Sequence, residues 1–374
     1  MKKVLIVGTG WTGASVSHKL ESLGVKTTLV EKENKVGGHS KSDLKNGIIY
    51  EPNGPHIFHT SNHAVNQFVS KFGMTRKFKH KVKSRIYPDS MKGESLLVSW
   101  PPQIDELKKL KEWRKIESEI NSLPKQPNNN NFETYAVSIM GMTLYQLFIY
   151  GYTKKQWDLE PFELSSTFAP KRIDLRSDNN KRLFNDKWEY FHPEGSGEII
   201  KKILEKKEII FNKNVNLDNL SEFILNYDAL VITASLDDFS LSEEKLLWRG
   251  IKSKPKYFAS VGVDQYVTEA YQINHPSLNE KFTRTVETKH ASGQRIKGSI
   301  VCEEFSVPNL KHYPVLVKDE YFKKLNNKFK KIINSEVNIP TFFSGRLANY
   351  SYINQDQAIE MGFKCAEKVY KEIE

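Results

Sequence analysis

The chain opens on two lysines and a short apolar run, VLIV at 4–7. A short β-branched run closed by a turn predicts a buried strand. GTGWTG follows at 8–13. Ala14, Val16, Leu20 and Leu23 then recur on one helix face, and Gly24 closes that helix. Val25–Val30 reads as a second strand. Strand, helix and strand in about 30 residues predict a parallel α/β unit. Residues 81–100 read as extended and end at Pro101-Pro102. Residues 103–150 turn helical around a polar loop, PKQPNNNN at 124–131, and 132–152 are apolar at helical spacing. Residues 157–193 are rich in Pro, Asp, Asn and Arg and predict loops. A helix at 197–206, with strands near 209–211 and 229–233, predicts a return to the first unit. Residues 248–305 alternate as antiparallel strands do, and a strand at 341–344 and a helix at 355–373 end the chain.

Length and composition narrow this picture. The 374 residues allow two or three domains, or one core with insertions. With 39% hydrophobic residues the chain can bury a sizeable core. No run of 18 apolar residues occurs, so no integral membrane segment is expected. VLIV is too short for the apolar region of a signal peptide. Two cysteines, Cys302 and Cys365, make neither a disulfide scaffold nor a four-thiolate metal site. A reducing, cytoplasmic compartment is expected. The net charge of +11 suits an anionic partner, but the lysines are dispersed and form no block of five. Nucleic acid is therefore not expected, and a phosphorylated small molecule or an anionic membrane face suits better.

Gly8-Thr9-Gly10-Trp11-Thr12-Gly13 fits G-x-G-x-x-G in the context that gives the pattern meaning. Gly8 permits a tight turn, Gly10 lets backbone approach a pyrophosphate at a helix N-terminus, and Gly13 permits close helix–strand packing. Glu31 ends the second strand, 21 residues after Gly10, and can accept from ribose hydroxyls. A 2′-phosphate would be repelled there, which argues against NADP. Val36-Gly37-Gly38 follows five residues later. An acid with a Gly-Gly pair at this distance resembles the second fingerprint of FAD-binding flavoproteins, so FAD is preferred to NAD. The expected fold is α/β: a Rossmann-like FAD-binding domain with a helical insertion and an antiparallel β-sheet insertion. The expected boundaries are 1–80, 193–236 and 296–374 for the FAD domain. The helical domain spans 100–168 and includes the start of a mobile lid. Residues 81–99, 169–192 and 237–295 form the sheet domain.

Gly54-Pro55-His56-Ile57-Phe58-His59-Thr60, with His63 nearby, is a second cluster. The three histidines lack accompanying Cys or a carboxylate at helical spacing, so no metal is expected. They read as core or turn histidines, or as a turn that brings backbone and imidazole beside an isoalloxazine ring.

With these motifs on the page, the chain resembles the UDP-galactopyranose mutase family over nearly its whole length. The resemblance rests on GTGWTG (8–13), EKENKVGG (31–38), GPHIFHT (54–60), GYTKKQW (151–157), KRIDLR (171–176), FTRTVETKH (282–290), HYPV (312–315) and SGRLANYSYINQDQAI (344–359). It implies an isomerase that interconverts pyranose and furanose forms of a nucleotide-diphosphate sugar. In that family reduced FAD acts through a covalent adduct at its N5 nitrogen. It implies a homodimer by analogy. The competing reading is an FAD-dependent oxidoreductase of the amine-oxidase type, which needs neither GYTKKQW nor two diphosphate arginines.

Carried over position by position, the resemblance implies that Arg176 on the lid and Arg284 clamp the diphosphate. Two guanidinium forks suit that task, though either arginine alone could be a surface ion pair. Trp157 falls beside sugar and flavin, or in a packed core. Tyr313 and Tyr350 fall near the diphosphate, or in structural hydrogen bonds. His56 and His59 fall on the flavin side, with His59 a candidate for controlling protonation. Arg249, Gly345 and Arg346 fall at the flavin. Trp188 stands nearest the family's uridine-stacking tyrosine. Asn354 stands where the family has an aspartate, Asp158 where it has glycine, and Ala234-Ser235-Leu236-Asp237 where it has Gly-Pro-Ile-Asp. These departures gather around nucleotide and sugar, which predicts a shifted substrate.

Overall fold

A computed structural model describes residues 1–171, 173–240 and 242–374, without the side chains of Pro170 and Lys171. Arg172 of the KRIDLR motif thus lies outside the described residues. The first sheet is parallel, in the order Thr341–Phe343, Ala229–Ile232, Lys3–Val7, Lys26–Val30 and Glu208–Ile210. Lys3–Val7 sits at its centre, and Val4 through Val7 are all buried. A strand covered on both faces needs apolar residues in succession, which is why VLIV does not alternate. The helix Trp11–Ser22 packs on the last helix, Gln355–Ile373. A Cβ on Gly362 would stand 2.7 Å from Ser15 Cβ, so that crossing depends on glycine. Both ends of the chain therefore pack into one layer pair around this sheet.

The second sheet runs Tyr313–Pro314, Trp248–Phe258, Ser299–Pro308, Arg284–Val286, Gln272–Asn274, Val82–Ile86 and Leu96–Trp100. Two expectations change here. The sheet is mixed, because Gln272–Asn274 runs parallel to Val82–Ile86. Ser299–Pro308, expected in the nucleotide-binding unit from residue 296, pairs from end to end with Trp248–Phe258 instead. A ladder from Arg249↔Pro308 to Phe258↔Ser299 fixes it in this sheet. Residues 169–192 were also expected in the sheet unit. Their strand Trp188–Tyr190 instead forms a separate ribbon with Phe58–Thr60.

The helical region starts the helix Phe132–Met140 on a reciprocal cap between Asn131 and Thr134. Gly141, at φ +82°, breaks it. A π-turn over Tyr145–Tyr150 leads into the helix Gly151–Trp157, and such turns recur at functional sites. A Cβ on Gly151 would lie 2.2 Å from the Pro276 carbonyl, so only glycine lets this helix approach the 275–282 loop. Lys155 then fastens the two. Its Nζ lies 2.6 Å from the His275 and Ser277 carbonyls, 3.0 Å from Glu280 O and 2.9 Å from Phe282 O. This tie sets Trp157 and Arg284 relative to each other. The helices Leu217–Ile224 and Tyr321–Glu336 were not read from the sequence. In the second, only Leu325, Asn326, Phe329 and Ile333 are buried, a narrow stripe among lysines and asparagines.

Candidate active site

Two cavities meet beyond the C-terminal ends of the parallel strands, where Val7, Val30 and Thr233 line the larger. The larger, about 620 Å³, starts at the glycine turn and second fingerprint and runs past Thr233–Ser235 to His312 and Arg346. The smaller, about 280 Å³, lies between the second sheet and the helical region. His39, Asn53, His56, His312, Arg346, Asn354 and Gln355 line both, so one opens into the other.

The larger cavity has the build of a dinucleotide cradle. Gly10 faces open space, with nothing within 4 Å of a Cβ placed there. A Cβ on Gly38 would meet Gly10 Cα at 3.3 Å, so the two fingerprints approach backbone to backbone. Gly13 closes the turn from behind, where a Cβ would stand 2.0 Å from the Gly8 carbonyl. Glu31 is buried and accepts from Thr9 N at 3.1 Å and Thr9 Oγ1 at 2.5 Å on Oε2, and from Glu33 N at 3.1 Å on Oε1. A carboxylate has about four lone-pair positions, so these three bonds leave one, on Oε1, for a ribose hydroxyl. Gly8, Gly10, Glu31, Gly37, Gly38, His56 and Arg346 all line this cavity. Gly345 sits behind it against Thr12.

Three histidines crowd the junction. The His39 and His312 rings are 4.5 Å apart. Burial pushes His312 down to about 4 and His56 down to about 3, and lowers His39 as well. All three are neutral near pH 7, beside the Arg346 guanidinium. Of the histidines at 56, 59 and 63, the first two line these cavities and the third lines neither. His63 opens a helix and turns its ring to Trp188.

The smaller cavity is walled by Trp157, Phe168, Tyr313 and Tyr352. The Trp157 ring lies 5.1 Å from Tyr313 and 5.5 Å from Tyr352. Tyr313 donates its O–H to the Gln156 carbonyl at 2.9 Å. Burial raises its phenol, which stays protonated. Arg284 comes from the second sheet and is paired by its Nε with the buried Glu304 carboxylate. On the opposite wall His80 is buried, with neither ring nitrogen bonded, and burial pushes it down to about 3. Phe184 lies over His59, ring centroids 3.5 Å apart and 12° from parallel. Beneath the floor Glu51 accepts from His56 N at 2.9 Å and from the Tyr271 hydroxyl at 3.2 Å. Burial pushes this carboxyl up to about 8.

A family model described as UDP-galactopyranose mutase matches residues 147–352, more than half of the chain. The chain belongs to the UDP-galactopyranose mutase family. It is an isomerase of the nucleotide-sugar mutase type. Residues 6–72 also match a model of NAD(P)-binding Rossmann-like domains. The chain is 28% identical to the dTDP-fucopyranose mutase of Escherichia coli, over 99% of each chain. It is 26% identical to the probable UDP-galactopyranose mutase of Klebsiella pneumoniae, over 98% of this chain and 94% of that one. The crystal structure of a reduced UDP-galactopyranose mutase shares the fold, with a TM-score of 0.80 at 16% identity, over 99% of this chain and 96% of the other.

Within this mutase fold, several expected positions are corrected. Tyr350 does not reach either cavity. It is buried at φ +45° and its O–H lies 2.8 Å from both the Leu247 and Val315 carbonyls. Tyr352, two residues on, takes the cavity wall. Trp188 also lies outside both cavities. It stands opposite Thr60 in the ribbon, with Lys187 Nζ 4.5 Å over its ring. The aromatic ring that this segment sends into the cavity is Phe184. Arg249 was expected at the flavin and instead pairs with Asp158 at 3.0 Å. Asp158 supplies that carboxylate where the family has glycine, and its φ of +56° explains the glycine preference. Arg176 is buried and turned into its own segment. It is bonded to Asp174 at 2.5 Å and to the Asn180 carbonyl at 3.1 Å, and also to the Arg182 carbonyl. Asn354 does line both cavities.

His39, His80, Tyr352, Phe184 and the buried Glu51 were missed. GGHS and the tyrosine doublet carry the first and third in plain view, but only tertiary packing shows which side chain faces inward.

Proposed function

We propose that this chain interconverts the pyranose and furanose forms of a hexose carried on a nucleoside diphosphate, with FAD in its reduced state as cofactor. The observation that carries this reading is the opening of the dinucleotide cradle into the aromatic cavity at His56, His312, Arg346 and Asn354. Reduced flavin supplies a nucleophilic nitrogen to an anomeric carbon, which permits ring exchange without net oxidation. The chain's own residues do the rest. Gly10 and Gly38 bring N–H groups to a diphosphate, Gly8 and Gly37 hold the turns by donating to the Val30 and Thr9 carbonyls, and Glu31 takes the ribose. Arg284 neutralises the substrate diphosphate from a fixed position. Trp157, Tyr313 and Tyr352 hold the sugar and exclude water. Arg176 exchanges its internal partners for the diphosphate when substrate binds.

The sugar is UDP-galactopyranose or a close variant. The 28% identity to a dTDP-fucopyranose mutase supports testing dTDP-fucopyranose beside it. A homodimer and a cytoplasmic location belong to the same reading. The buried thiols Cys302 and Cys365 suit a reducing compartment. Among the described residues no helix is long and apolar enough to cross a membrane.

The test incubates the dithionite-reduced protein with each nucleotide sugar and resolves the products by anion-exchange chromatography. Many turnovers per equivalent of reductant are expected with one of the two. One equivalent consumed per product would establish the oxidoreductase instead.

A further inference from the structure

His59 and Asp186 come from segments 127 residues apart and meet at the wall of the smaller cavity. His59 Nδ1 lies 2.7 Å from Asp186 Oδ2. The other carboxylate oxygen accepts from Ser61 Oγ at 2.9 Å. Arg182 donates to the Asp186 carbonyl at 2.6 Å, and Lys187 N donates to Ser61 Oγ at 3.1 Å. Asp186 is thus held at both ends. The bond to His59 draws its carboxyl below the ordinary value, so it is ionised at neutral pH.

An ionised carboxylate only accepts. The hydrogen between the two groups therefore belongs to Nδ1 of His59, whether the ring is neutral or charged. In the neutral ring the lone pair is then on Nε2. Among the described residues no hydrogen bond to Nε2 competes for it. The ring itself lines the cavity that holds Trp157 and Arg284. Phe184, two residues before Asp186, covers its face.

We propose that Asp186 is a positioning residue that sets His59 Nε2 as the proton donor and acceptor for opening and reclosing the sugar ring. This rests on the mutase reading above. When the bond from the anomeric carbon to the ring oxygen breaks, its electron pair goes to that oxygen and Nε2–H supplies the proton, while the cofactor nitrogen that would be bound to that carbon would make up the lost pair. When a different hydroxyl forms the new bond to the anomeric carbon, its proton returns to Nε2. Atoms, protons and electrons balance over the cycle. Asp186 stabilises the charged imidazolium that begins and ends it, and orients the neutral imidazole between. Both Asp186 and Phe184 belong to the segment that follows Arg176. That segment therefore supplies both the carboxylate and the ring that fix the proton-transfer group.

Two variants and two readouts test this. The titratable and charged groups around His59 are Asp186, with Arg182 beside it, Asp356 on the last helix and His80, whose ring lies 5.5 Å from that of Phe184. In D186N, kcat should fall on the order of 100-fold with KM nearly unchanged. The imidazolium limb of the kcat–pH profile should move to lower pH. NMR titration of His59 in the protein without cofactor or substrate should show the same downward move. S61A, which loosens one end of the carboxylate, should shift both readouts in the same direction and less. An unmoved His59 titration in D186N, or kcat equal to wild type at every pH, overturns the inference alone. A wild-type protein that isomerises no nucleotide sugar overturns the parent reading and this one with it.

Discussion

Tyr350 and Tyr352 lie two residues apart and serve opposite sides of one turn. Tyr350 points into the fold and spans the Leu247 and Val315 carbonyls. Tyr352 points into the cavity, with the Arg346 guanidinium 5.5 Å from its ring centre. The two tyrosines should therefore fail differently.

Y350F leaves the buried Val315 carbonyl without this donor, while the Leu247 carbonyl keeps the Val315 N–H at 3.0 Å. We expect a loss of ~1–3 kcal/mol in unfolding free energy, with KM unchanged. Y352L keeps the bulk and removes the π face from Arg346. We expect near-normal stability and about a tenfold loss in kcat/KM, the scale of one partly desolvated cation–π contact. Denaturant titration and steady-state kinetics on both variants separate the two roles. A stable Y350F with raised KM would return Tyr350 to the cavity.

Groups whose chemistry is local in sequence were legible, and groups assembled by packing were not. GTGWTG and Glu31 fall at the turn, helix start and strand end that their pattern predicts, because all three lie within one strand–helix–strand unit. Whether Tyr350 or Tyr352 faces the cavity turns on one backbone angle, φ +45° at Tyr350, which no pattern announces. Trp188 falls on an alternating WEY strand, and its face is set by pairing with Phe58–Thr60. Arg249 is the sharper case. The departure at Asp158 was visible, but its consequence, capture of Arg249 across 91 residues, needed the fold.

The two glycines of the first turn make a second pair of contrasting outcomes. G10A places a methyl in open space at an ordinary φ of −76°. It should fold with nearly unchanged thermal stability and lose flavin on gel filtration, because the methyl occupies the approach to the diphosphate. G13A drives a Cβ against the Gly8 carbonyl at 2.0 Å and should fail to fold or melt far lower. Flavin absorbance beside a thermal melt distinguishes them. A yellow G10A as tightly loaded as wild type would remove the cradle from this cavity.

Glu51 sets a pH dependence of stability. Burial holds its folded value near 8, against about 4.5 when unfolded. Between those values the folded chain binds the proton and the unfolded chain does not. The contribution is complete below about 4.5 and is lost as pH rises through about 8. Its slope approaches ~1.4 kcal/mol per pH unit. E51Q retains an oxygen to accept from His56 N–H and Tyr271 O–H and cannot ionise. Urea titrations across this window should show wild type losing stability relative to E51Q as pH rises. Parallel curves would place the Glu51 proton elsewhere.

Arg284 and Glu304 should show that the cavity's guanidinium is held, not merely present. Glu304 is buried and takes Arg284 Nε, which leaves the terminal nitrogens for a ligand. Gly54, at φ +100°, lets one of them pass where a Cβ would stand 3.2 Å away. E304A removes the carboxylate from a buried pair and should cost about 3–5 kcal/mol of stability. R284K keeps the charge near Glu304 but gives up the planar fork. It should remain folded and lose on the order of 100-fold in kcat/KM, the scale of one removed transition-state donor. The two measurements assign separate duties, anchoring to Glu304 and diphosphate recognition to Arg284. If R284K turned over at the wild-type rate, a point charge alone would suffice at this wall, and the diphosphate would have to be recognised from the Arg176 side.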